Sequence, residues 1–203
     1  MTLNSARSIR DIIVIGGSAG GLEALMRLLS ALPPDLPAAI GVVLHRSPVL
    51  SSNLSEVIKR SSQLPVVEVY EREPLRSGHV YLAPRDRHLR FDDGRFDARR
   101  DVPEHRFRPA IDPLFVSAAN EYNSRVVGVL LSGGGEDGIA GLIAIKAAGG
   151  LSLVQDPSDA VTPVLPLNAI RKDDVDMVLK AADLALALEG LATGKAVEID
   201  GSR

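Results

Sequence analysis

The sequence predicts an α/β fold: a doubly wound, mostly parallel sheet with helices on both faces and a small antiparallel hairpin. Three observations carry this. Short β-branched apolar runs alternate with stretches whose apolar residues fall at helical spacing. The runs are apolar throughout instead of alternating, the pattern of strands covered on both faces. Aromatic residues make up only 3% of the chain while apolar residues reach 45%, so aliphatic side chains must fill the interior, as where helices pack on a Val/Ile/Leu-rich sheet.

The elements follow in order. "DIIVIGG" (11–17) is a buried strand ending in a glycine turn. "GLEALMRLLSALP" (21–33) has apolar residues at 22, 25, 28, 29 and 32, and Pro33 and Pro34 stop the helix. "AAIGVVLH" (38–45) is a second strand, "LSSNLSEVIKRSS" a helix and "PVVEVYE" (65–71) a third strand. Asp93-Gly94 is a short-loop hairpin signal, with antiparallel strands near 88–92 and 95–99 at a sheet edge or on a flap. "IDPLFVSAANEYN" (111–123) is helical, and Asp112 at its start reads first as a cap. "SRVVGVLLSGGGEDGIAGLIAIKAAGG" gives strand, glycine loop and helix. "LSLVQDP" is another strand, and 164–171 and 181–192 are helical. Strands alternating with helices imply right-handed crossovers. No linker or repeat divides the chain, so the expectation is one domain over 11–193 with tails at 1–10 and 194–203.

Composition excludes several classes. There is no cysteine, hence no disulfide, thiolate metal site or thiol nucleophile. A net charge of −3 argues against general nucleic-acid binding. The N-terminal segment has no apolar signal core, and no apolar run nears the roughly 18 residues of a spanning helix. A cytoplasmic protein without direct membrane insertion is expected.

In open α/β sheets the site lies beyond the carboxyl ends of the strands. Ser18 follows "DIIVIGG", His45 follows "AAIGVVL", and Asp137 sits in the glycine loop after "SRVVGVLL". A hydroxyl, an imidazole and a carboxylate on one sheet edge suit nucleophilic acyl transfer: the ring removes the serine proton, and the acid orients the ring and stabilises the imidazolium. "GGSAGG", with Ala19 after the serine, opens a helix and leaves amides unpaired beside Ser18; "SGGGEDG" offers a second set, and together they can build an oxyanion hole.

Each residue also has a plainer reading. Ser18 can be a helix cap, His45 a hydrogen-bonded core histidine, and Asp137 the N-cap of a helix beginning at 138. Two rival motifs fit worse. "GGSAGG" puts Ser18 where a dinucleotide fingerprint needs its second glycine, and no Gly-Lys-Ser/Thr string supports a P-loop. "GGSAG" matches the G-x-S-x-G elbow, but α/β-hydrolases order their triad Ser, acid, His, whereas here the histidine precedes the acid.

Several motifs together resemble the catalytic domain of the CheB-type chemotaxis-receptor methylesterases. They are "IGGSAGGLEAL", "VVLHRSP", "GHVYLAPRDRHL" (78–89), "HRFRPAIDPLFVSAA" (105–119), "GVLLSGGGEDGIAG" (128–141) and "QDPSDAVTPVLPLNAI" (155–170), in order over nearly the whole chain. The resemblance implies a Ser-His-Asp enzyme that hydrolyses glutamate γ-methyl esters on a methyl-accepting receptor or similar protein, and that also deamidates certain glutamines. It implies no metal or cofactor. It makes Ser18 the nucleophile, His45 the base and Asp137 the orienting acid, with an oxyanion amide near Gly134.

The chain departs from the family pattern where Ala19 and Gly134 replace threonine and methionine. It departs again at Arg46-Ser47, and at Leu165-Pro166-Leu167, where Met-Pro-Arg is typical. It begins almost directly with its first strand, so the expectation is a domain without the family's phospho-receiver. Such a domain is constitutively active or controlled by a separate regulatory or kinase partner. These departures motivate the rival reading, a non-catalytic scaffold or sensor in a two-component network. Residues 85–108 hold eight arginines against six acids, beside His88 and His105; they form either a solvated hairpin face or a surface that steers an acidic target.

Overall fold

The computed structural model describes residues 9–45, 53–102 and 107–195. Its main sheet has seven strands in the order β10-β9-β8-β1-β2-β5-β3. These are β1 (Ile12–Gly17), β2 (Ala39–Leu44), β3 (Val66–Glu68), β5 (His79–Leu82), β8 (Val126–Leu130), β9 (Leu151–Gln155) and β10 (Met177–Leu179). Every neighbouring pair is parallel. The helices are α1 (Gly21–Ala31), α2 (Leu54–Ser61), α3 (Asp112–Tyr122), α4 (Ile139–Ala147), α5 (Val164–Lys172) and α6 (Ala181–Thr193).

Successive residues of a strand point to opposite faces. On β1, Ile13 and Ile15 join a cluster with Leu25 and Leu28 of α1, Ile58 of α2 and Leu188 of α6. Ile12 and Val14 join a second cluster with Leu114 of α3, Leu142 of α4 and Leu165 of α5. Both faces are therefore covered, which is why the strands read as continuous apolar runs. From β1 the chain winds outward through β2, then crosses back to β8 on the other side, leaving a crevice at that reversal.

The expected hairpin forms β6 (His88–Phe91) and β7 (Arg95–Arg99), with Asp93 and Gly94 at φ 53 and 69, the positive pair a tight two-residue turn needs. It does not extend the main sheet. With β4 (Glu73–Pro74) it makes a separate three-stranded antiparallel sheet in the order β4-β7-β6. Phe96 is fully buried there, its ring 4.3 Å from those of Tyr81 and Phe91. The Phe91 N–H donates to Ser117 Oγ of α3 at 2.9 Å. So the apolar side of the hairpin is spent against the α3 face.

Two expectations are refined. The strand read over 65–71 is only β3, Val66–Glu68, at the sheet edge, and the neighbour it pairs with, β5, was not foreseen. Arg10, placed by the sequence in a tail, is buried; its guanidinium donates to the carbonyls of Ser124 and Gly149, and its N–H to Leu191. The remaining tail residues 1–8 and 196–203, the Arg46-Ser47 pair and His105 lie outside the described residues. Among the described residues no helix is long and apolar enough to cross a membrane.

Candidate active site

Strands β8, β1 and β2 are neighbours, so their carboxyl ends open on one crevice. The ladders run past the strand ends: His45 N–H donates to the Gly17 carbonyl at 3.0 Å and Leu131 N–H to that of Gly16 at 2.8 Å. Ser18 leaves β1 in a tight turn. Its N–H donates to the Ser132 carbonyl at 2.9 Å, and its carbonyl accepts from Gly21 N–H at 2.8 Å. The plain cap reading does not hold for it. The N-cap of α1 is Gly20, in the left-handed region at φ 76, with no side-chain cap bond. The Ser18 hydroxyl points instead at the imidazole of His45.

The structure brings the three strand-end side chains together. His45 Nδ1 lies 3.2 Å from Ser18 Oγ, and His45 Nε2 lies 2.6 Å from Asp137 Oδ2. The side chains of His45 and Asp137 are 5% and 2% exposed, so water screens this contact little. A carboxylate only accepts, so Nε2 carries the proton and the Nδ1 lone pair faces the hydroxyl. The ring is turned the other way from chymotrypsin-type sites, where Nε2 meets the serine and Nδ1 the acid.

Asp137 does not cap its own helix; the N-cap of α4 is Gly138. It accepts instead from the N–H groups that open α3, Ile111 to Oδ2 at 2.7 Å and Asp112 to Oδ1 at 3.1 Å. Asp112, expected as a cap, returns the arrangement: its Oδ1 accepts from Gly141 N–H of α4 at 2.7 Å. Each carboxylate thus answers amides of the other's helix. Burial would push the Asp137 carboxyl up, but the His45 hydrogen bond, followed by the Ile111 and Asp112 amides, outweighs it and holds the group below the ordinary aspartate range.

The expected oxyanion donors stand beside this chain of contacts. Among the described residues the amides of Ala19 and Gly134 donate to no protein acceptor, whereas Gly133 N–H is taken by the Thr162 carbonyl at 2.9 Å. A Cβ added to Gly133 would lie 2.9 Å from Ser18 Cβ and 3.0 Å from Leu165 Cδ2. The glycine loop is therefore pressed between the serine turn and the start of α5. Ser132 holds it from below: Oγ donates to the Ala19 carbonyl at 2.7 Å and accepts from Thr162 N–H at 2.8 Å. Its own N–H goes to the fully buried Gln155, which passes on to Asp159 at 2.7 Å, and Asp159 is paired with Arg27.

Sequence reasoning missed this support and missed Phe107, whose ring stacks on His45. Ser132 and Gln155 fall inside quoted motifs, but no spacing rule pairs them across two strands. The arginine-rich segment turns largely inward on its own acids: Arg108 donates to Asp86, Arg90 pairs with Asp101, and Arg99 pairs with Asp92. These pairs tie the hairpin to the segments around it, so that much of the charge is matched within the protein.

The family described as CheB methylesterase matches residues 13–188. The chain is 41% identical over 187 residues to a protein-glutamate methylesterase/protein-glutamine glutaminase of Anaeromyxobacter dehalogenans, covering 92% of this chain and 55% of that one. It is 36% identical over 184 residues to one of Myxococcus xanthus, covering 90% and 52%. It thus spans about half the length of these curated relatives. The crystal structure of the Thermotoga maritima CheB methylesterase catalytic domain superposes with a TM-score of 0.84 at 33% identity, covering 91% of this chain and all of that one. A doubly wound sheet, a serine at its central strand end and a match over most of the chain agree, and the protein belongs to the CheB methylesterase family.

Proposed function

We propose that the chain is a serine hydrolase that demethylates glutamate γ-methyl esters on a receptor-like protein and deamidates glutamine by the same route. Ser18 acts as nucleophile, His45 as base and Asp137 as orienting acid. His45 Nδ1 takes the hydroxyl proton as Ser18 Oγ bonds to the ester carbon. The carbonyl oxygen becomes an oxyanion facing the Ala19 and Gly134 amides, which donate to it without rearranging. The tetrahedral species collapses, the C–O bond to the methoxy group breaks, and the imidazolium proton leaves with methanol. Water, deprotonated by His45, then attacks the acyl-serine and releases glutamate and free Ser18. An amide passes through a similar tetrahedral species and loses ammonia instead.

The observation that supports this most is the unbroken chain from Asp137 through His45 to Ser18, at 2.6 and 3.2 Å. A fluorophosphonate probe and methanol release test it. Wild-type protein should label at Ser18; Ser18→Ala should abolish labelling, and either Ser18→Ala or His45→Ala should lower turnover by on the order of 10³ to 10⁶ with the fold intact. Well-folded wild-type protein that never labels would instead support the scaffold reading.

A further inference from the structure

The ring of Phe107 lies face to face on that of His45, with centroids 3.7 Å apart and planes within 10°. Such close parallel stacking covers one whole face of the imidazole. Phe107 is itself 38% exposed, so one face of its ring covers the histidine while part of the residue meets solvent.

The described residues on either side of Phe107 are tied down. His88 is fully buried, its Nδ1 accepting from Ala110 N–H at 3.2 Å and its Nε2 donating to the Val102 carbonyl at 3.0 Å. One histidine thus bonds Val102 on one side of Phe107 in sequence and Ala110 on the other. Arg108 adds a second tie, donating to Asp86 at 2.7 Å and to the Asp101 carbonyl at 2.8 Å. Three residues further on, the Ile111 amide reaches Asp137. The same short segment therefore reaches both the ring and the acid.

Resting on the hydrolase reading above, we propose that Phe107 is a positioning residue for the base. A half-turn of the His45 ring about its Cβ–Cγ bond would put Cδ2 toward Ser18 and Cε1 toward Asp137, leaving no base at the hydroxyl. To pass through the perpendicular the ring would have to push Phe107 away, and the anchored Arg108 and Ala110 beside it resist that. The π face also favours the imidazolium that forms when His45 takes the serine proton. Phe107 therefore acts on kcat, through the share of molecules with Nδ1 correctly aimed, and on the cation formed in the reaction.

The test compares Phe107→Ala, Phe107→Leu and Phe107→Tyr in the full chain. The readouts are the fluorophosphonate labelling rate of Ser18 per folded molecule and kcat and KM on a small neutral methyl ester. Phe107→Ala should label on the order of 10-fold more slowly and lose kcat with KM nearly unchanged; Phe107→Tyr should stay within about twofold of wild type, and Phe107→Leu should resemble Phe107→Ala. If Phe107→Ala folds poorly, the Leu and Tyr pair still decides. Labelling within about twofold of wild type in Phe107→Ala, or rescue by Leu equal to that by Tyr, overturns the inference while leaving the triad reading in place. Wild-type protein that never labels overturns both.

Discussion

The turn after β1 and the loop after β8 are both rich in glycine, and they use it in opposite ways. At Gly20 the backbone is left-handed, and a Cβ would fall 2.6 Å from that of Val161 and 2.7 Å from Ser132 Oγ. Glycine there permits contact. At Gly134 a Cβ would meet nothing within 4 Å. Glycine there leaves space. Gly133 stands on the border, with its Cα side against Ser18. The turn that carries Ser18 is thus closely packed, while the space beside Gly134 is open. Close packing around Ser18 and open space beside it come from the same residue type in two settings.

That contrast can be broken in order of expected size. Short of removing Ser18 or His45, Asp137→Asn should cost most, lowering kcat by roughly 10⁴, because a neutral amide neither orients the Nε2–H tautomer nor stabilises the imidazolium. The same carboxyl gives an acid signature. Its value is depressed in the fold, so its stabilisation is complete above the unfolded value of about 4 and fades as pH falls through the lower folded one. In the Asp137→Asn variant that component of acid unfolding should vanish, as followed by circular dichroism.

Gly133→Ala comes next. Its methyl would press on Ser18 Cβ at 2.9 Å and on Ser18 N at 3.2 Å, and a displacement of this order costs about 10² in kcat. Gly20→Ala should mainly unsettle the fold, by about 2 kcal/mol, since it combines a left-handed backbone with a steric overlap. Gly134→Ala should change stability by no more than about 0.5 kcal/mol and slow turnover only a few-fold, since its amide is kept. Equal losses of melting temperature at positions 20 and 134 would erase the distinction between the two turns.

Much of this was legible along the chain, and the reasons differ by element. Strands β1, β2 and β8 could be read because both of their faces are buried, so every position is apolar. The β6–β7 turn was legible because two positive φ values in succession demand Asp-Gly or its like. β5 and β10 were not, being four and three residues long, too short for periodicity to register. Ser18, His45 and Asp137 could each be named from their place after a strand, but the plain reading of Asp137 paired it with the nearest helix. Its hydrogen bonds run to the amides of α3, which lies earlier in the chain. Phe107, His88 and Gln155 fall inside quoted motifs, but no local spacing shows what each touches, since its partner is distant in sequence.

The order of residues dictated which segments become strands, and parallel winding then delivers three reactive groups to one edge, because strand ends and apolar runs are local properties. The folded protein alone settled which imidazole nitrogen faces the hydroxyl, which helix Asp137 serves, and that an aromatic ring stacks on His45. Those are contacts between elements, and their geometry is set by how helices and strands pack, which no stretch of a single segment encodes.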